Sequence, residues 1–568
     1  MKSLLFIIFI FFSAELLDAS VIPDTVKIKW ENSMSLSRIG HLKSAEEEFN
    51  EIDRMFKNGR DSEFFQKYPF KVYLYCQATN QEMPDYNSNP IYNEFFLKFN
   101  FSKISIIFVS PQIHIPASMF GHTFITFKSS NKSLLPLDTS IDFIGVTENE
   151  RCVSLKSLLY HIPGKYHLKQ FIDKFNEYDR EHRDLWEYEM NVSKQLVFEM
   201  KLFAIEVSQQ KYKYNFLFKN CSDYIYYFLR VWPELNIKKN FLLTIPLESV
   251  KIINNYQLIN KASFYASHYT KAMVSYEALS NFEKEIFKKI KQRIDNGERF
   301  NDQYSANITA CVSAYLNYKI KNEKNYYIRE NSISLKKNYN LKLNEKFFLE
   351  QPLEAHSPFR IDFSYLIIPH NSNFYCVGLR PAIHSAHDPT QGYQKNTSIE
   401  VLSSKIMIKQ GENTVKITDF SLISIDTFIP GNFLSNQFTR YLAIAYEDKS
   451  IISDKFFQKI YMKIGSGYSY KVMNHFNLSI GLHAGVVKYF NGNDSLSWVI
   501  GSRPRINISF NRFLIDAMTI LEYDNKKDSN IEYIIDLGLI INKNCVTFFN
   551  YTHEQLLNQF KTGLRIYI

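Results

Sequence analysis

Apolar and polar positions follow different periods along this chain, and the change falls near residue 356. Beyond it the period is two. In HFNLSIGLHAGV, Phe476, Leu478, Ile480, Leu482, Ala484 and Val486 share one face, while His475, Asn477, Ser479, Gly481, His483 and Gly485 share the other. NIEYIIDLGLII alternates Ile531, Tyr533, Ile535, Leu537, Leu539 and Ile541 with Asn530, Glu532, Asp536 and Gly538; KIYMKIGSGYSY and RINISF repeat the scheme, and the chain closes on KTGLRIYI in the same manner. Roughly twelve such segments of about nine to fourteen residues, separated by Asn, Asp, Gly and Lys turns, have the length and alternation of membrane-spanning barrel strands. A soluble β-sandwich or lipocalin-like barrel alternates too, with its apolar face inward, and period alone does not separate them.

Ahead of residue 356 the pattern is mixed. KSAEEEFNEIDRMFKNG sets Phe49, Ile52 and Phe56 at helical spacing, with acids early and Gly59 late. From about 101 to 235, short apolar strands alternate with helices, and 240 to 330 reads as largely helical, notably NFEKEIFKKIKQRIDNG. The first residues, MKSLLFIIFIFFSAELLDAS, have the basic start, short apolar run and small-residue exit of a secretory signal. No later window is long and apolar enough for a helical span.

Composition narrows the class. The chain has 568 residues, 45% hydrophobic and 22% charged, which excludes disorder and allows several cores. Aromatic residues reach 16%, with 48 Phe and 37 Tyr, as large cores, half-buried strands or a membrane interface require. The net charge of +9 is spread without a basic run, so no nucleic-acid partner is expected. Cys76, Cys152, Cys221, Cys311, Cys376 and Cys545 are scattered without a CxxC pair, which removes zinc-ribbon and thioredoxin readings; one or two disulfides stay open.

Two segments carry candidate chemistry. In ISIIFVSPQIHIPASMFGHTFITF, His122 lies on a predicted strand after Gly121, with Phe120, Phe124 and Thr126 on its face. In YKYNFLFKNCSDYIYYFLRVWP, Asn220 is placed to cap a helix carrying Ile225, Phe228, Leu229 and Trp232 on one side, ending before Pro233. Cys221 then occupies the first helical turn, where the dipole favours a thiolate and free N–H groups can serve an oxyanion. A strand imidazole facing such a thiol is a nucleophile and base pair of papain-like type, here in permuted order. Each residue alone has a plainer reading, as a core thiol and a structural histidine. A third member orienting His122 is expected from LLPLDTSIDF, as Asp138 or Asp142, with Asp138 preferred. RDLWEYEM reads as a structural helix whose Arg and acids make buried pairs. His384, His387 and Asp388 in HSAHDPTQGY match no closed zinc site, and a hairpin loop accounts for them; no metal and no cofactor is expected.

PASMFGHTFITF, IPGKYHLKQF, YDREHRDLWEYEM and YNFLFKNCSDYIYYFL, taken in order, resemble the successive motifs of the Lnb N-terminal periplasmic domain family. The flanking YPFKVYLYC, LEAHSPFRIDFSY and LRPAIHSAHDPTQGY extend the resemblance over most of the mature chain. It implies a bacterial envelope protein with a thiol domain similar to lecithin retinol acyltransferase and NlpC-type proteins. The family's namesake is a lipoprotein intramolecular transacylase. By this resemblance Cys221 is the nucleophile, His122 the base and Asn220 the residue before the nucleophile; Ser118, Phe120 and Gly121 lead up to His122. Tyr166, Arg183, Asp184, Trp186, Glu187 and Tyr188 match intervening motifs without assigned roles.

The expectation is an α+β protein. It comprises a signal at 1–19, a mixed helical region at 20–100, a permuted papain-like thiol domain at 101–240, a helical connector at 241–350 and a roughly twelve-stranded antiparallel barrel at 351–568. The expected activity is a Cys–His acyltransferase or hydrolase acting on acyl lipids or lipoproteins at the outer membrane, with the thiol domain in the periplasm. The alternatives are a cell-wall amidase or peptidase, and a non-catalytic barrel protein whose periplasmic domain binds a partner.

Overall fold

The computed structural model describes residues 22–322 and 351–568, apart from 60, 113–117, 130–132, 147–155, 158–159, 239–243, 299–303, 371, 413, 435–437, 453–457, 491–494, 526–529 and 555–556. The signal expected at 1–19 lies outside the described residues. The chain forms two compact units, one built mainly on residues up to 272 and the other mainly on residues from 336 onward.

The first unit opens with helices α1 (Asp24–Ser33), α2 (Ala45–Lys57), α3 (Asp61–Lys67), α4 (Pro69–Thr79) and α5 (Pro90–Phe95). The expected helix is α2. Ser44 accepts from the Glu47 N–H, Glu47 returns a bond to the Ser44 N–H, and Phe49 and Ile52 are buried. A sheet follows, made of β1 (Lys103–Val109), β2 (His122–Lys128), β3 (Thr139–Gly145), β4 (Ile162–Gln170), β5 (Leu185–Met190), β6 (Tyr212–Tyr214) and β7 (Ile259–Tyr265). Its seven strands run in the order β6-β4-β3-β2-β1-β5-β7, and each neighbouring pair is antiparallel. Helices α6 (Phe171–Arg180), α7 (Lys194–Ser208), α8 (Cys221–Leu229) and α9 (Pro246–Asn255) are interleaved with these strands, and α10 (His268–Glu277), α11 (Asn281–Asp295) and α12 (Ala306–Asn322) follow.

RDLWEYEM is not a helix: its core is β5. The expected buried pairs are there, but strand alternation makes them. Glu187 and Glu189 lie two apart and both meet Lys128, at 2.5 and 2.9 Å, and Glu187 also accepts from Ser105 at 2.8 Å. The stretch expected to be a helical connector likewise contains a strand, β7, paired with β5.

The second unit is a barrel of β8 (Arg360–Ile367), β9 (Phe374–Arg380), β11 (Thr397–Lys409), β12 (Val415–Thr427), β13 (Phe438–Asp448), β14 (Gln458–Met473), β15 (Phe476–Phe490), β16 (Ser495–Phe510), β17 (Phe513–Asp524), β18 (Asn530–Asn542), β19 (Cys545–Glu554) and β20 (Leu557–Tyr567), with the short β10 (Ala382–His384) paired beside the start of β11. β20 pairs with β8 and β9 with β11, which closes twelve antiparallel strands into a ring. Closure leaves no edge strand.

The orientation of the faces decides the class. Ile464, Leu482, Ile500, Ile531 and Leu539 point outward and are exposed, whereas Lys463, His483, Arg505, Asp516 and Asp536 point inward and are buried. A soluble barrel has the reverse arrangement, so the sandwich and lipocalin-like readings fall. Outward aromatics form two belts, Phe438, Tyr468, Tyr470, Phe510 and Phe513 toward one end and Trp498 with Tyr523 toward the other, as girdles at two membrane interfaces do. Strands β14 to β16 run 16, 15 and 16 residues, more than the roughly 9–11 needed to cross the hydrocarbon. The ring is a membrane-spanning barrel.

Leu482 is 66% exposed near the middle of β15. Replacing it with Arg is expected to cost about 2–4 kcal/mol in lipid-embedded unfolding titrations of the full chain, the penalty for a cation at the bilayer midplane. A surface position in water would give a change near zero.

Candidate active site

His122 opens β2, and Gly121 before it has φ +86°, a conformation that disfavours other residues. A Cβ there would lie 2.8 Å from the Val109 carbonyl oxygen and 3.0 Å from the Phe108 ring, so β1 also requires the glycine. Ser118, three residues earlier, accepts from Arg183 at 3.0 Å, and the same guanidinium donates to the Ser110 carbonyl at 2.8 Å. Ser118 and Arg183 thus fix the approach to the histidine.

Cys221 is the first residue of α8. Asn220 caps the helix: its Oδ1 accepts from the Ser222 N–H at 2.8 Å and the Asp223 N–H at 3.3 Å, and Asp223 accepts from the Asn220 N–H at 3.1 Å. The Asn220 amide also donates to the carbonyls of Thr244 and Phe216, which anchors the cap on two sides. This limits the oxyanion expectation. Two of the N–H groups at the helix start are consumed by the cap, and the Cys221 N–H is the donor left for a ligand. Tyr166 donates to the Tyr224 carbonyl at 2.6 Å and ties α8 to β4.

The thiol lies against the start of β2, at Thr123, while His122 faces Asp142 and Tyr178. The N–H and hydroxyl of Thr123, the residue after His122, act on the Cys221 thiol and draw its pKa down, but burial outweighs them and raises it above the ordinary thiol value. Cys221 is 5% exposed. Burial likewise pushes His122 down to about 3, and the Lys174 cation adds to the effect. At rest the thiol and the imidazole are therefore both neutral.

Asp138 does not orient His122. Its Oδ1 accepts from the Ser129 N–H and hydroxyl at 3.0 and 2.7 Å, and its Oδ2 from the Leu135 N–H at 2.7 Å, so it organises the turn before β3. The other carboxylate considered, Asp142, lies on the buried stretch of β3 with its Oδ2 4.0 Å from His122 Nε2. Lys174 on α6 ion-pairs with Asp142 at 2.7 Å, and all of this is buried. Burial would raise the Asp142 carboxyl, yet Lys174 and His122 hold it below its usual value. Lys174 also lies over the Tyr178 ring at 4.7 Å, and Tyr178 stacks on Phe124. Lys174, Tyr178 and Thr123 were not singled out from the sequence. The i, i+4 spacing of Lys174 and Tyr178 on one face of FIDKFNEYD was the available signal.

The remaining motif residues are scaffold. Asp184 accepts from the Ser267 N–H and the Thr270 hydroxyl at the start of α10, and Trp186 packs on Phe264. In the barrel unit, His356, His384 and Asp388 converge with ligand atoms within 4.8 Å. The Asp388 oxygens are already bound by Arg380 at 2.5 Å, Arg360 at 2.8 Å and the Tyr567 hydroxyl at 2.8 Å. Two guanidinium cations on the one carboxylate do not suit a divalent ion, and the cluster is an ion-paired clasp. Among the described residues Cys221, Cys311, Cys376 and Cys545 are free thiols.

Lys174→Ala strands the buried Asp142 and is expected to cost about 3–5 kcal/mol in chemical denaturation, with much of it recovered by adding Asp142→Asn. Because both members of the pair are held neutral, alkylation of Cys221 by iodoacetamide is expected to climb steadily with pH above 8. A plateau between pH 4 and 8 would indicate a preformed thiolate–imidazolium pair instead.

Residues 92–256 match the family described as the Lnb N-terminal periplasmic domain. Residues 349–486 match a domain of unknown function, DUF7840. No curated protein matches the chain. Among solved structures, similarity is found to a KdgM porin (12% identity, TM-score 0.23, covering 37% of this chain and 99% of that one). A NanC porin gives 12% identity, a TM-score of 0.26, and coverage of 37% and 100%. An OmpT variant of Vibrio cholerae gives 9%, 0.18, and coverage of 37% and 97%. At these scores the barrel assignment stands on its own strand register and faces. The chain thus carries an Lnb N-terminal periplasmic domain at residues 92–256 and a closed outer-membrane-type barrel after it, as an outer-membrane protein with its N-terminal domain in the periplasm.

Proposed function

We propose that the periplasmic domain is a cysteine acyltransferase or hydrolase acting on acyl esters of membrane lipids or lipoproteins. The observation that supports this reading is the placement of Cys221 at the head of a capped helix, with Thr123, the residue after His122, acting on the thiol. His122 Nε2 faces Asp142, which leaves Nδ1 as the base. As the sulfur attacks the acyl carbonyl, His122 takes the thiol proton and the Cys221 N–H donates to the oxyanion. His122 returns the proton to the departing alcohol, which leaves an acyl-thioester on Cys221. An amine or water then attacks the thioester, gives its proton to His122, and the thiol is restored. Asp142 stabilises the imidazolium while it exists; Lys174 limits that lifetime and returns the site to neutrality.

Exposed aromatics support an acyl substrate. Tyr160 is 70% and Phe218 45% exposed, and Asn215 donates to the Tyr160 carbonyl and accepts from the Phe218 N–H. Phe218 stands three residues before Cys221 in the sequence.

A second reading, a partner-binding domain without catalysis, is favoured by the burial and neutrality of the thiol. The two are separated by Cys221→Ala and His122→Ala, each compared with wild type by mass spectrometry of envelope lipids and lipoproteins. The enzymatic reading expects acyl transfer or release to fall about 1,000-fold or more in either variant. Unchanged lipid and lipoprotein species in both variants would leave partner binding as the function.

A further inference from the structure

The barrel interior carries residues that the thiol chemistry does not use. We infer that this barrel is a sealed membrane anchor, plugged at both mouths by its own segments, and not a pore. The first plug is residues 385–396, between β10 and β11, at the mouth where the chain enters at Arg360 and leaves at Tyr567. The segment turns into the lumen. His387 lies 3.4 Å from Asp516 on β17 and 3.6 Å from Asp536 on β18, strands on the opposite side of the ring from β9 and β11. The next residue, Asp388, is clasped by Arg360, Arg380 and Tyr567, and Arg565 donates to the His387 carbonyl. Gly392 has φ +74° and lies against Ala355, where a Cβ would come within 2.7 Å. The segment is thus held by both walls and by the chain on its near side.

The second plug lies at the other mouth. Lys449, in the turn after β13, reaches Glu554 at 2.6 Å at the end of β19, half-way round the ring. Ile452 in the same turn inserts among the inward-facing Leu366, Phe374, Cys376 and Met407. Between the plugs the charges are cross-linked. Lys463 and His483 both meet Glu522, and Arg505 bridges Asp426 and Asp516, joining β16 to β12 and β17. Where Asp426, Arg503 and Arg505 meet, the cavity they line is about 20 Å³, room for about one water, whereas His483 and Glu522 also border an open hollow of about 770 Å³ together with the outward-facing Ile464, Leu482 and Ile500. Lys449–Glu554 and Arg505–Asp426 join strands well separated round the ring, and with the two plugs they obstruct the lumen.

The test is single-channel recording on the full chain, refolded in detergent, shown to be folded by heat-modifiable migration and inserted in a planar bilayer. Wild type is expected to be electrically silent. Replacing residues 386–395 with a short Gly-Ser linker, together with Lys449→Ala and Ile452→Ala, is expected to produce discrete conductance steps. If that variant loses heat-modifiable migration, His387→Ala with Lys449→Ala, which keeps the loop length, takes its place. Open-channel steps from wild type would overturn the inference, as would silence from a folded variant with both plugs released.

Discussion

The buried Lys174–Asp142 pair is the constraint around which the candidate site is arranged. Ion pairs of this burial contribute little net stability, because desolvation offsets attraction, yet losing either partner is costly. The pair therefore fixes positions more than it adds stability. It locks α6 against β3 beside His122, with Tyr178 and Phe124 packed on the lysine. Its field also explains the resting chemistry. A lone carboxylate next to His122 would favour the imidazolium, whereas a carboxylate already neutralised by a lysine does so only weakly, and burial keeps the ring neutral.

The cysteine side follows from a second local rule. Asn220 spends its carbonyl on the helix N–H groups and its amide on two neighbouring carbonyls. The same residue that makes the helix start rigid takes up the Ser222 and Asp223 N–H groups. The imidazole is positioned by the glycine turn and the start of β2, and the thiol by the α8 cap.

Much of this was legible in the sequence because it is local. Period two revealed the barrel strands and even the division of faces in HFNLSIGLHAGV, and an Asn–Cys pair before an apolar helical pattern revealed the cap. What was not legible depended on tertiary placement. Asp138 and Asp142 are four residues apart, and only the turn bonds to Ser129 and Leu135 show that the first is occupied. RDLWEYEM has strong helix formers, but pairing of its acids with Lys128 on β2 through strand alternation overrides their preference. Which barrel face meets lipid also waits for closure, since alternation is symmetric in the two faces. The surplus of aromatics divides the same way, into the packing around α8 and the outward belts of the barrel.

The central claim is that Cys221 carries an acyl group through catalysis. Intact-protein mass spectrometry, with peptide mapping, after incubation of the full chain with a diacylated lipopeptide or phospholipid measures this directly. The account predicts an added mass equal to one acyl chain, located on Cys221 and removed by neutral hydroxylamine, as a thioester is. An unmodified Cys221 under conditions where the lipid substrate turns over, or an acyl adduct on another residue, would contradict it.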